Sequence, residues 1–471
     1  MMTLREAAQA LNARARLDVE FGCVATDSRR MPAGALFVAL RGENFDGHAF
    51  VAQAGEAGAC AAMVDQAWFD AVQEGCELPL LIVDDTRLAL GRLAAHWRDR
   101  FDLPVIGITG SNGKTTVKEM CAAILRARCL REGFADSDVL ATRGNLNNDI
   151  GLPLTLLELR AHHRAAVIEM GMNHPGEIAY LTDIARPTVA VVNNAQRAHL
   201  AGMGTVQQIA QEKGAIYAGL GNAGVAVVNA DDVHAPLWRA LNAGRKLIAF
   251  GCLPEADVCG RVVLHGLGSA IDIEADGNRV SLSLQVPGAH NAANALAAAA
   301  CCIAAGAALT DVAAGLTGFA GVRGRLQRRP GPGGALVLDD SYNANPDSMR
   351  AGIDVLASTP GRKFLILGDM GEVGEGSAQL HDEIGGYAKS KGIDGLYALG
   401  EMSTVAVRNF GEGAQHFRTP EALVGALRKQ LDADTVVLVK GSRFMRMERV
   451  ADLLSAVHND DPSNNGGSNA A

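Results

Sequence analysis

The sequence predicts an α/β protein of three domains, with a central doubly wound sheet of the P-loop type and a C-terminal Rossmann-like domain. Three observations carry this. Short apolar runs at 105–109, 165–168, 189–192 and 225–228 are separated by helical patterns, as in buried parallel strands with crossover helices. A second alternation of the same kind recurs at 335–338, 363–367, 395–399 and 435–439. The chain has 471 residues, room for two to four domains at about 100–200 residues each.

Taken in order, the N-terminal domain covers 1–82. Its first twenty residues lack a long apolar core and read as a short amphipathic helix, not a signal peptide. A strand at 36–40 follows among Gly-rich turns, then a strand at 80–83. Asp84-Asp85-Thr86 reads as a helix cap, with the helix running through Arg98 and ending before Pro104. The central domain covers 83–320. Its strand at 105–109 leads through a Gly-rich turn into a helix from Thr115 to Arg128. The β-type alternation at 258–286 predicts a small antiparallel section, and a helix over 291–305 closes the block. The boundary falls near 318–321, and the Pro/Gly stretch 329–334 reads as a hairpin turn. The C-terminal domain covers 321–458. The polar, Gly/Asn-rich tail at 459–471 predicts disorder.

Composition excludes several classes. With 48% apolar and 20% charged residues the chain is neither disordered nor collagenous. A net charge of −9 argues against nucleic-acid and anionic-membrane partners. Nine scattered cysteines without a CxxC pair predict reduced thiols and a cytoplasmic location rather than a disulfide framework or a zinc site. The most apolar stretch, 295–309, is shorter than the roughly 20 residues of a membrane span and reads as a buried helix.

The strongest local signal is Thr109-Gly110-Ser111-Asn112-Gly113-Lys114-Thr115-Thr116, between a buried strand and a helix. Glycines let the backbone aim several N–H groups at one anion, and the helix N-terminus adds its positive end. Lys114 would reach the β- and γ-phosphates and the Thr115 hydroxyl would ligate Mg²⁺. The strict P-loop pattern wants glycine at 108, where this chain has Ile108. Glu169 ends an apolar strand, where ligands of doubly wound sheets bind, and offers Mg²⁺ a carboxylate. Asn193-Asn194 ends another strand, and His199 follows as a candidate metal ligand. Lys213 lies on a helical segment, and composition alone would leave it a solvated surface charge.

Together with Gly144-Asn145-Leu146-Asn147-Asn148, Ile168-Glu169-Met170-Gly171, His290-Asn291-Ala292-Ala293-Asn294, Asp340-Ser341-Tyr342-Asn343-Ala344-Asn345-Pro346 and Lys440-Gly441-Ser442-Arg443, the loop resembles the ATP-dependent Mur ligases of peptidoglycan synthesis. The motifs fall in order over nearly the whole chain. Asn173-His174-Pro175-Gly176-Glu177-Ile178 and Gly368-Asp369-Met370-Gly371-Glu372-Val373-Gly374 make the resemblance strongest to members that add D-alanyl-D-alanine to UDP-N-acetylmuramoyl-tripeptide. The Asp-Asn-Pro-Arg signature of members adding the third residue is missing from the sequence.

The resemblance implies roles. Ser28, Arg29, Phe45, Asp46, Gly47 and His48 match the segment that holds the UDP part, and Asn145 and Asn148 a substrate-facing loop. Lys213 aligns with the lysine the family carbamylates, which with His199 would help hold a second Mg²⁺. Asn291 and Asn294 match adenine-side residues, and Arg325 and Asp340 last-domain contacts to phosphates and ribose. Lys440, Ser442 and Arg443 would lie near peptide carboxylates. The implied enzyme is a cytoplasmic monomer that uses ATP to form an acyl phosphate and then an amide, with ADP released. A third-residue ligase, a folate-type polyglutamate ligase, a small-molecule kinase and a non-catalytic nucleotide-binding regulator are the competing readings.

Overall fold

The computed structural model describes residues 1–72 and 76–455; the tail predicted at 459–471 lies outside the described residues. Among the described residues three main sheets follow one another along the chain. The first runs Arg14–Arg16, Leu80–Val83, Ala59–Asp65, Ala35–Val38, Cys23–Ala25, all parallel except the antiparallel first strand.

The central sheet has nine strands. Its parallel part runs Val139–Ala141, Ala165–Glu169, Val105–Thr109, Val189–Val192, Val225–Asn229, Lys246–Gly251. The predicted antiparallel section, Val258–His265, Gly268–Ala275 and Asn278–Leu284, extends one edge. Alternate residues of each strand face opposite layers. Ile106 and Ile108 meet the helices Lys114–Arg131 and Ala289–Ala304, whereas Val105 joins the core around the helix Thr86–Arg98. Both faces are covered, which is why these strands read as unbroken apolar runs.

The helix after the loop spans Lys114–Arg131, longer at both ends than the predicted 115–128. Gly113, at φ +81°, turns the chain one residue earlier. At the other end Arg128 and Arg131 lie in the last turn, where the helix dipole favours cations, and pair with Glu132 and Asp311.

The strand Val105–Thr109 sits between Ala165–Glu169 and Val189–Val192, so chain order reverses across it. The carboxyl ends of such strands open a crevice at the sheet edge. The third sheet runs Gln327–Pro330, Leu336–Asp340, Thr435–Lys440, Arg362–Gly368, Gly395–Leu399, Ala414–Phe417 and is parallel apart from its first strand. Gln327–Pro330 and Leu336–Asp340 form the hairpin read from the Pro/Gly stretch. No helix among the described residues is long and apolar enough to cross a membrane. Among the described residues all nine cysteines are free.

Candidate active site

The phosphate-type loop is held from beneath by the segment that leaves Val189–Val192. The side-chain amides of Asn193 and Asn194 donate to the carbonyl of Asn112 at 2.9 and 3.1 Å, and the Asn112 N–H donates to Asn194 Oδ1 at 2.9 Å. The Gln196 N–H donates to Ser111 Oγ, which donates back to the Gln196 carbonyl. Thr109 Oγ1 donates to the Met170 carbonyl, tying the loop to the next strand end. Gly113 is constrained twice. Its φ is left-handed, and a Cβ there would stand 2.3 Å from Asn294 Oδ1. Lys114 opens the helix and folds its ammonium back onto the Gly110 carbonyl at 2.7 Å. Burial pushes its pKa down, and the Arg325 charge adds to this against the opposing pull of Glu169.

A cavity of about 1210 Å³ lies between this loop and the C-terminal unit. Of the residues singled out in the sequence, Ser111, Asn112, Gly113, Lys114, Thr116, Asn145, Asn148, Glu169, His199, Asn291, Asn294, Arg325, Asp340, Lys440 and Arg443 line it. Glu169 is buried; Oε1 accepts from Asn147 Nδ2 at 2.8 Å, while Oε2 has no partner. Its backbone N–H donates to Thr142 Oγ1, whose residue is pinned through its carbonyl by the buried Lys118 ammonium at 2.7 Å. Thr115 Oγ1 accepts from Arg325 Nη2 at 3.1 Å across the cleft.

Lys213 is not the solvated lysine that composition suggests. It is wholly buried, with no hydrogen-bond partner for its ammonium nitrogen. Burial drives its pKa well below the usual lysine value, with Lys114 pushing the same way. A neutral buried amine can react with carbon dioxide, and the resulting carbamate would supply oxygen ligands. His199, at φ +58°, has Nδ1 2.6 Å from Glu372 Oε2, close enough for a charge pair but without the alignment of a hydrogen bond. This contact and, more weakly, Lys114 hold the Glu372 carboxyl below its usual pKa.

The donor set fits Mg²⁺. Glu169 presents an unpartnered buried oxygen beside the loop, and hard cations take oxygen ligands. No group of three or more His, Cys, Asp or Glu among the described residues could hold a metal alone.

Among the other sequence candidates, Thr109, Gly110, Thr115, Lys213 and Ser442 are not part of the cavity lining. Ser442 is buried, donating to the Ala344 carbonyl at 2.9 Å and accepting from the Gly371 N–H at 2.7 Å, so it ties two loops together. Lys440 lines the cavity but is already paired with Asp340 Oδ2 at 2.5 Å. In the N-terminal unit His48 is buried between Asp46 Oδ1 at 2.6 Å and the Asp65 N–H at 3.0 Å. Arg29 pairs locally with Asp27, and Phe45 is exposed. Ser28, Arg29, Phe45, Asp46, Gly47 and His48 are all outside the lining of the main cavity.

Sequence reasoning did not single out Glu372, Arg197, Asp347 or Tyr342 individually. Tyr342 lies under the Arg325 guanidinium, 4.4 Å from ring centre to carbon. Both Glu372 and Tyr342 sit inside motifs quoted for the family resemblance, which was the available signal.

Comparison with known proteins agrees with this geometry. The Mur ligase family catalytic domain matches residues 20–98, the Mur ligase middle domain 108–302, and the Mur ligase glutamate ligase domain 324–443. UDP-N-acetylmuramoyl-tripeptide--D-alanyl-D-alanine ligase of Escherichia coli is 41% identical over 456 residues, covering 95% of this chain and 97% of that protein. The crystal structure of MurF from Acinetobacter baumannii superposes with a TM-score of 0.87 at 34% identity, covering 96% of this chain and 98% of that one. MurF ligase from Thermotoga maritima, solved in complex with ADP, superposes with a TM-score of 0.80 at 28% identity over 92% of this chain and 97% of that one. The chain therefore belongs to the Mur ligase family of ATP-dependent ligases.

Proposed function

We propose that the protein joins D-alanyl-D-alanine to UDP-N-acetylmuramoyl-tripeptide, converting ATP to ADP and phosphate and making the pentapeptide precursor of peptidoglycan. One observation carries the reading: a single cleft combines the phosphate-type loop and Lys114 with the half-satisfied Glu169 carboxylate, all facing the C-terminal unit. The 41% identity to the Escherichia coli ligase supports the choice of substrates.

A carboxylate is a poor electrophile, so the amide needs an activated acid. A substrate carboxylate oxygen attacks the γ-phosphorus, the bond to the β-phosphate oxygen breaks, and ADP leaves. The neutral dipeptide amine then attacks the acyl carbonyl, the bond to phosphate breaks, and the amine gives up a proton. Lys114 and the loop N–H groups stabilise charge on the γ-phosphoryl oxygens. Mg²⁺, held by Glu169 and Thr115, with a second ion held by His199 and a carbamylated Lys213, would offset the repulsion among these oxygens. Asn291 and Asn294 serve the adenine side, Arg325 and Asp340 the phosphates and ribose. Asn145, Asn148, Lys440 and Arg443 face the peptide substrate.

The reading also takes the blocks 1–82, 83–320 and 321–458 as domains. Ser28, Arg29 and 45–48 are taken as the UDP-side segment, Ser442 as a support for the peptide side, and the enzyme as a cytoplasmic monomer. The test is incubation with ATP, Mg²⁺ and UDP-N-acetylmuramoyl-tripeptide, offering D-alanyl-D-alanine, a diamino acid or glutamate as the amine. Mass spectrometry should detect the pentapeptide with D-alanyl-D-alanine alone. Absence of the pentapeptide, with product formed instead from UDP-N-acetylmuramoyl-dipeptide and a diamino acid or from a folate and glutamate, would replace this reading by that of a third-residue or folate-type ligase.

A further inference from the structure

Within seven residues the segment 193–199 touches both sides of the cleft. Toward the loop, Gln196 Oε1 accepts from Asn112 Nδ2 at 2.6 Å, beside the contacts of Asn193 and Asn194. Toward the C-terminal unit, the next residue is Arg197. Its backbone N–H donates to Asp347 Oδ2 at 2.8 Å, and Nε and Nη2 donate to Asp347 Oδ1 at 2.9 and 2.7 Å. Nη1 and Nη2 reach the two Glu383 oxygens at 3.0 and 3.1 Å. Every nitrogen of the residue is therefore engaged by two carboxylates of the other unit. Arg350 adds a second cation on Glu383 at 2.9 Å.

Asp347 lies in the first turn of the helix Pro346–Ala357. The N-cap of that helix, Asn345, donates to Asn112 Oδ1 at 2.8 Å and accepts from Asn112 Nδ2 at 3.3 Å. The contacts close a ring from Asn112 through Gln196, Arg197, Asp347 and Asn345 back to Asn112. One member is the tip of the phosphate-type loop and another the start of a helix in the opposite unit.

We propose that Arg197 is a positioning residue that seats the N-terminus of the helix Pro346–Ala357 against the phosphate-type loop, and so holds the C-terminal unit in its working orientation. A guanidinium gripping two carboxylates fixes direction as well as distance, which a lysine in its place could not do. The three side chains are about a quarter exposed, at 27%, 24% and 28%, so added salt reaches and weakens the clamp. The carboxylates in turn hold the Arg197 charge, raising its pKa above the usual arginine value. Arg197 does not line the cavity, so it acts through Asp347 and the loop rather than on the substrate.

The catalytic half of this inference rests on the ligase reading, so the test has an arm that does not. Full-length wild type, Arg197→Met, Arg197→Lys and Glu383→Gln are compared with ADP and Mg²⁺ by small-angle X-ray scattering. They are then compared in turnover at low and high salt. Arg197→Met should enlarge the radius of gyration, lower kcat about 5- to 100-fold, and abolish most of the salt dependence of kcat seen in wild type. Arg197→Lys and Glu383→Gln should fall between. A purely structural role would lower the melting temperature and leave scattering and kcat of the folded protein unchanged. Arg197→Met as compact and as active as wild type overturns the proposal. Should Arg197→Met not fold, a Glu383→Gln variant as compact and as active as wild type overturns it equally. A wild type that makes no amide but opens on loss of Arg197 would refute the ligase reading and leave the clamp standing.

Discussion

The central unit meets its two neighbours in opposite ways. Toward the N-terminal unit it shares one apolar core: Leu4, Leu36, Leu81, Leu90, Leu93, Trp97, Leu156 and Leu181 belong to the same buried cluster. The helix Thr86–Arg98 lies at its centre, packed on Leu4–Leu11 from one side and on Gly151–Leu156 and Glu177–Ala185 from the other. Toward the C-terminal unit the contacts at the cleft are polar: Asn112 with Asn345, Arg197 with Asp347 and Glu383, His199 with Glu372, Arg325 with Thr115. Apolar interfaces of core quality move as one body, whereas polar ones permit relative motion. The first junction is therefore a fixed joint and the second a working one.

Polar groups follow the same division. In the N-terminal unit Arg41, Asp46, His48 and Asp65 satisfy one another. Beside the working junction, Glu169 Oε2 and Lys213 Nζ are buried without partners. The contrast between lysines is instructive. Lys440 is 3% exposed and paired with Asp340, while Lys213 is 0% exposed and has no hydrogen-bond partner. A buried, unpaired polar group costs stability, so its persistence points to a ligand or a modification.

The largest effects should fall at the working junction. Lys114→Ala and Glu169→Ala should each cut turnover by about 10²–10³-fold or more with an unchanged melting temperature, read by ADP release and calorimetry. Full activity in either would remove the cleft from the account. Lys213→Ala should lose most activity and regain part of it with added acetate or formate. Labelled carbon dioxide should give a carbamate signal by NMR in wild type that the variant lacks. At the fixed joint the expected effect is on stability. Trp97→Ala should cost about 3–5 kcal/mol in denaturant unfolding, because it empties a buried site in the shared core and deletes the indole hydrogen bond to the Leu159 carbonyl. Its folded fraction should turn over normally; a variant that unfolds in two separate transitions would show that the joint is not one core.

The smallest effect concerns acid. Desolvation is the largest single influence on Asp65 and raises its pKa, but the hydrogen bonds from Arg41 and the Trp68 N–H, with the nearby positive charge, together outweigh it, and the net shift is downward. Asp46 is also lowered, its burial outweighed by hydrogen bonds from His48. Groups with depressed folded pKa values contribute stability above their unfolded pKa, near 3.8 here, and lose it as pH falls through the folded values. Wild type should therefore lose stability below pH 4 more steeply than Asp65→Asn, measured by denaturant midpoints. Equal slopes would mean that this network contributes nothing.

The fold was largely legible because its signals are local. The buried strands announce themselves as apolar runs, and the loop as eight consecutive residues between a strand and a helix. The hairpin at 331–335 is written in its prolines and glycines. What escaped depends on distance in the chain. Arg197 and Asp347 are 150 positions apart, Asn112 and Asn345 are 233, and nothing in either segment names its partner. The burial of Lys213 is equally silent, because one lysine on a polar-looking helix, Val206–Gly214, carries no mark of what covers it. His48 shows the converse. The family motif marks it in the sequence, and the geometry adds that both ring nitrogens are engaged within its own unit.

If the cleft activates an acid by phosphoryl transfer before the amine arrives, an oxygen of that acid must end in the released phosphate. The direct measurement uses UDP-N-acetylmuramoyl-tripeptide whose terminal carboxylate carries heavy oxygen, with ATP, Mg²⁺ and D-alanyl-D-alanine, and follows the label by phosphorus NMR. One labelled oxygen should appear in the inorganic phosphate for each amide formed. Amide formation with unlabelled phosphate would contradict it.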